Sequence, residues 1–283
     1  VTTLLEPFQF EFFRNGLLVA TLAGALCGLV GTFVVLKGMS YIGHGLSHAI
    51  FGGFAASALL GVNLFLGAGV WGFASALLIG GVTRRRRVIG SDAAIGVITT
   101  ASFAIGLALI KVFGSRGKNA DAYLFGNVLG VDRAQVVLVT LVLVLAVAAV
   151  FFGYRALLFS TFDPEVADVS GVRTARVDAL LMLVLAATIL ATMNVLGVTL
   201  VAATLVIPPV VARMLTNSFG RMLALSTSIG TFSGFVGMVA SYHLDIAPGP
   251  MIVLVGSGLF ALVFVLTGLR GLGRAGGLEA DLA

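Results

Sequence analysis

AQVVLVTLVLVLAVAAVFFG, residues 134–153, holds no charged side chain. A spanning α-helix needs about 20 apolar residues, whereas a barrel strand needs about 10 that alternate apolar and polar. This run is long enough for the helix, and it does not alternate. Similar runs occupy 16–36, 41–60, 63–82, 93–112, 178–193, 195–214, 222–242 and 250–269. The chain is therefore expected to be an all-α integral membrane protein, a polytopic helical bundle of about 8–9 transmembrane segments. The longest polar connections, 113–133 and 154–177, leave no room for a soluble domain, so residues 1–283 read as one transmembrane domain.

Composition excludes the other classes. Of the 283 residues, 59% are hydrophobic and 10% charged, and the mean hydropathy is +1.13. A soluble domain carries about 25% charged residues, so a soluble enzyme and a disordered chain are both excluded. The single cysteine, Cys27, excludes a disulfide scaffold. The N-terminal VTTLLEPFQFEFFRNG lacks the features of a cleavable signal peptide. Its phenylalanines, Phe8, Phe10, Phe12 and Phe13, suggest an interfacial lead-in.

Charge sets an orientation. Arg84 to Arg87, Arg155, Arg173, Arg176, Arg213, Arg221, Arg270 and Arg274 flank apolar runs. With nine spans these positions fall on one side, which the positive-inside rule makes cytoplasmic. That puts the N-terminus outside and the C-terminus inside. Lys118 and Arg133, in the 113–133 connection, run against this assignment. The pI near 9.9 comes from these membrane-edge residues and is not a nucleic-acid signal.

Ionisable residues inside apolar runs are the informative ones in such a chain. All three histidines qualify. In GMSYIGHGLSHAIFGG, 38–53, His44 and His48 stand four apart. On a helix they share a face one turn apart, where two imidazoles suit one metal ion or a proton relay. In SYHLDIAPGP, 241–250, His243 and Asp245 precede a Pro-Gly-Pro break. Asp245 is the only acidic residue from Ala179 to Leu278. Three imidazoles and one carboxylate would make a four-ligand site for a borderline divalent ion such as zinc. Alternatively, the first pair bonds backbone carbonyls at a helix contact and the second cluster is an ordinary polar loop.

Within 154–177, Asp163 reads as an N-cap, Pro164 as the first helical residue, Glu165 and Asp168 as acids at the positive helix end, and Gly171 as the stop. A short capped helix on the cytoplasmic side reads either as a lever for a partner protein or as an amphipathic surface helix with no further role. No GxxxxGK[ST] phosphate loop occurs. If nucleotide powers this protein, another chain binds it.

Together these stretches resemble the zinc/manganese/iron-chelate family of ABC-transporter permeases, from about Phe10 to Leu269. GTFVVLKGMSYIGHGLSHAIFGG resembles the family's second-segment signature. AIGVITTASFAIGL, YLFGNVLGV, FDPEVADVSGV, GVTLVAATLVIPPVVARMLT and SYHLDIAPGPMIVL follow in family order. The resemblance implies a type II importer-like permease, multi-pass in the plasma membrane of a bacterium. It implies a homodimer in membrane lipid with a central pathway, an ATP-binding cassette subunit inside and an extracytoplasmic solute-binding protein outside. It implies transport rather than catalysis, no permanently bound cofactor, and ATP on the partner chain. Coupling then falls on Asp163, Pro164, Glu165 and Gly171 of the element at about 160–175, and metal contact on His44, His48 and Asp245. His44 replaces the family's common acidic residue. Imidazole for carboxylate softens the site, so zinc is expected ahead of manganese. Rival readings are an ion-coupled secondary metal transporter and an ABC permease for a metal chelate or siderophore. An intramembrane metalloprotease is disfavoured because HExxH is absent.

Overall fold

The computed structural model describes residues 6–84, 91–113, 126 and 131–280. A 3-10 turn at Glu6–Gln9 leads into α1 (Glu11–Leu36), α2 (Ser40–Leu60), α3 (Leu64–Arg84), α4 (Ser91–Phe113) and α5 (Arg133–Phe162). The short α6 (Pro164–Val169) follows, then α7 (Thr174–Leu196), α8 (Val201–Leu215), α9 (Phe219–Leu244) and α10 (Pro248–Ala280). Each of the nine apolar runs becomes one helix. Six helices are long and apolar enough to cross a membrane, among the described residues. The apolar parts of α4 and α8 are shorter, at 95–109 and 201–215.

The core is built around α1, which is buried over most of its length. Its main neighbour is α9. Small residues every fourth position on both helices let the two backbones touch. A Cβ on Gly24 would overlap the carbonyl of Gly230, and one on Gly230 would overlap the carbonyl of Gly24. Gly28 lies against Ser226 and Gly234 against Ala20 in the same way. The Ser226 hydroxyl donates to the Gly28 carbonyl at 2.6 Å. Hydrogen bonds between membrane helices contribute about 0.6 kcal/mol on average and up to about 1.7. Ser226→Ala is therefore expected to lower the melting midpoint of the detergent-solubilised protein by about 2–4 °C. A shift several times larger would mean that the hydroxyl supports more than this one bond.

Side-chain contacts fix which helix ends lie together. Phe13, in the first turns of α1, packs its ring on Tyr242 near the end of α9, with centroids 5.2 Å apart. Arg133, at the start of α5, pairs with Glu11 at 3.0 Å. These define one end of the bundle. At the other end Lys37 meets Asp178 at 2.9 Å, and Phe33 meets Phe219 with centroids 5.6 Å apart. From α1 onward successive long helices run in alternating directions between the two ends. The helix ends carrying Arg155, Arg173, Arg176, Arg213 and Arg221 lie at the second end, which the positive-inside rule makes cytoplasmic. The contrary Arg133 is neutralised by Glu11. Phe13 is fully buried, so the N-terminal phenylalanines do not all lie at an interface as expected. Arg85 to Arg87, Lys118 and most of the YLFGNVLGV stretch lie outside the described residues.

α8 has 15 residues, a length of about 22 Å, which is short of the ~30 Å hydrocarbon core. The link between α7 and α8 turns at Gly197, whose φ is +79°, and Gly197 and Val198 are buried. Irregular backbone at membrane depth survives where protein covers it. Pro208 and Pro209 both sit inside α8. Pro209 has no N–H for the carbonyl of Leu205. That carbonyl faces Gly31 of α1, where any Cβ would overlap it.

Candidate metal-binding pair and coupling element

Glycines hold α2 close to two neighbours. Cβ atoms at Gly45 and Gly52 would crowd Thr99 and Ser102 of α4, and one at Gly53 would crowd Trp71 of α3. This clasp fixes the face that carries the two histidines. Their Nε2 atoms converge to 3.2 Å, with ring centroids 4.6 Å apart. The His48 ring also rests edge-on against Phe103, centroids 4.6 Å apart. The buried Nδ1 of His48 has no hydrogen-bond partner. Ser47 is buried and donates to the His44 carbonyl at 2.7 Å, so its hydroxyl is already used. His44 is exposed on the surface of the single chain.

A 3.2 Å nitrogen separation lets one ion sit about 2.1 Å from both imidazoles, at an angle of about 100°. That angle lies between the octahedral and tetrahedral values. The pair therefore suits a divalent transition metal without selecting one, and the remaining ligands make the choice.

His243 and Asp245 lie apart from this pair, so the four residues do not form one site within a single chain. Among the described residues no three His, Cys, Asp or Glu side chains converge on a metal position. The reason is the direction of the helices. His243 and Asp245 end α9 at the first end of the bundle, beside Phe13. Gly43, next to His44, lies against Val34 of α1. Phe13 and Val34 are 21 residues apart on one helix, about 30 Å. Both late residues are exposed, and Asp245 caps α9 in the left-handed region at φ 53°.

The short helix forms as its residues require. The Asp163 carboxylate accepts from Val166 N at 3.0 Å, and Pro164 opens α6. Gly171 follows the helix at φ +83°. Asp168 accepts from both N and Oγ1 of Thr174, at 3.3 and 2.7 Å, tying α6 to α7. Glu165 is exposed. Ala167 is fully buried, whereas Val169 is 90% exposed and Val166 is also exposed. The helix is anchored on one face and offers apolar side chains on the other.

Comparison with known proteins decides the family. The ABC 3 transport family matches residues 9–267. This chain belongs to the ABC 3 transport family. It is 37% identical over 268 residues to the manganese transport system membrane protein MntC of Halalkalibacterium halodurans, covering 94% of this chain and 91% of that protein. It is 34% identical over 267 residues to the Haemophilus influenzae protein named "Probable iron transport system membrane protein", covering 94% of this chain and 98% of that protein. The solved PsaBC from Streptococcus pneumoniae, in complex with a Fab, superimposes with a TM-score of 0.84 at 31% identity, covering 93% of this chain and 95% of that one. As a member of this family the chain is a metal-transport permease subunit of an ABC transporter, not an enzyme. It sits in the plasma membrane as a multi-pass protein, and a separate subunit hydrolyses ATP.

One polar feature of this ABC 3 permease escaped the motif reading. The Lys37 ammonium donates to Ser160 O at 2.8 Å and to Asp178 Oδ1 at 2.9 Å. A sequence signal existed, because Lys37 is the only Asp, Glu, Lys or Arg between Arg14 and Arg84. Its partners lie more than 120 residues away, and no local pattern points to them.

Proposed function

We propose that this chain is the permease subunit of an ATP-driven importer of divalent metal ions whose cargo is manganese. The observation that carries a metal role is the convergence of the His44 and His48 Nε2 atoms to 3.2 Å on α2. Manganese, rather than the zinc expected from His44, is favoured by the names of relatives from Halalkalibacterium halodurans and Listeria monocytogenes, both manganese transport proteins. Transport also favours a weak site, since an ion held tightly is not released.

Two copies of the chain line the pathway. An exposed histidine on a membrane helix is costly against lipid. Beside it α4 exposes the small Thr100, Ala101, Ala104 and Ala108 together with the larger apolar Val97 and Ile105, a surface that a second copy can cover. Two copies joined there would offer four imidazoles instead of two. An extracytoplasmic solute-binding protein docks at the first end, where the exposed His243 and Asp245 attract the arriving ion. The ATP-binding subunit docks on α6, where Asp163, Pro164, Glu165 and Gly171 shape the contact and Val166 and Val169 fill it.

The test is metal uptake by proteoliposomes holding the permease with its ATP-binding and solute-binding partners. Manganese is expected to accumulate only with ATP on the α6 side. Accumulation driven by a proton or sodium gradient without ATP would replace this reading with an ion-coupled carrier. Zinc outcompeting manganese at equal concentration would restore the zinc expectation. Uptake of an intact chelate only would make the chain a chelate permease.

A further inference from the structure

Lys37 stands at the turn from α1 to α2, and its ammonium reaches across the bundle. Ser160 belongs to the last turn of α5, and Asp178 to the second turn of α7. The segment between these two residues carries α6. One cation therefore grips both arms of the connector that holds the coupling element. The Lys37 side chain is 11% exposed, so salt screens this pair less than a surface ion pair.

The grip is rigid on the α2 side. Lys37 N donates to Phe33 O at 2.9 Å, Gly38 N to Val35 O at 3.1 Å, and Met39 N to Val34 O at 2.7 Å. Gly38 supplies the positive φ of +67° that this turn requires. Gly43 N then donates to Met39 O at 3.1 Å. A displacement of the Lys37 head group is passed to the start of α2. His44 lies one turn into α2, about 6 Å along its axis from Ser40.

α6 packs on α5 and α7. Toward α2 it faces a cavity of about 400 Å³ whose lining includes Lys37, Tyr41, Pro164, Asp178 and Met182. The cavity lies between the coupling element and the start of α2, and Lys37, Ser160 and Asp178 all line it.

We propose that Lys37, through Ser160 and Asp178, is the positioning residue that passes motion of α6 to the helix carrying His44 and His48. This rests on the transport reading above. When the partner ATPase shifts α6, the α5 and α7 arms pull the ammonium, and the first turns of α2 follow.

The test uses the complete complex in proteoliposomes and reads manganese moved per ATP hydrolysed. Lys37→Met is expected to lower that ratio about tenfold while ATP hydrolysis continues. Lys37→Arg, which keeps the charge and reaches the same acceptors, is expected to hold the ratio within about twofold. If Lys37→Met fails to assemble, Asp178→Ala, which removes this acceptor and leaves the Ser160 bond, is expected to lower the same ratio. An unchanged ratio overturns the inference, and so does a parallel fall of uptake and hydrolysis, which a purely structural role would give. A wild-type complex that moves no manganese with ATP would instead remove the transport reading, and this inference with it.

Discussion

His48→Ala is expected to reduce manganese uptake by about 100-fold or more while leaving the bundle folded. The loss follows from geometry. The two Nε2 atoms lie 3.2 Å apart, and with one gone the ion keeps a single imidazole from this chain. Removing even an outer partner of a metal ligand costs about 10–100-fold, so removing a ligand costs at least the upper figure. The fold survives because His48 holds little else together. Its Nδ1 has no partner to strand, and its ring gives up one edge contact with Phe103. Uptake and elution volume, measured on the same preparation, separate the two effects. His44→Asp should retain uptake and move competition toward manganese, because a carboxylate is the harder ligand. His48→Ala transporting at the wild-type rate would remove the pair from the pathway.

Gly230→Val is expected to prevent assembly of the bundle. Its side chain would occupy the position of the Gly24 carbonyl, and backbone there has nowhere to move. Overpacking a tight core typically costs 1–3 kcal/mol, and a clash with backbone at a helix crossing reaches about 4 kcal/mol or more. Several more Ångströms of separation would also break the Ser226 bond to Gly28. Gly258→Ala is the control, because a Cβ there meets nothing within 4 Å. Yield of monodisperse protein should collapse for Gly230→Val and stay at the wild-type level for Gly258→Ala. Equal yields would mean that the α1–α9 crossing tolerates a wider spacing.

The nine apolar runs anticipated the helices well because hydrophobic length is a local property. Each run had to satisfy its backbone within itself, and a helix is the way a lone segment does so in lipid. The spacing of four between His44 and His48 fixed their shared face for the same reason. Asp163, Pro164 and Gly171 announced α6, since capping acts within one turn. The small residues Ala20, Gly24, Gly28 and Ser226, Gly230, Gly234 also displayed a period of four. Nothing local said which helix would meet which.

The sequence by itself determined the class, the place of each apolar helix, the shared face of the histidine pair and the capped short helix α6, because each follows from contacts within a turn or from length against the bilayer. The tertiary structure alone decided three further things. It separated His243 and Asp245 from His44 and His48, by directing α9 toward the opposite end of the bundle from the start of α2. It left α8 too short to cross the membrane, since the buried turn at Gly197 interrupts the apolar run. It brought Lys37 to Ser160 and Asp178, more than 120 residues away in the chain. All three depend on the direction and depth at which separate helices pack, and hydrophobicity carries no information about either.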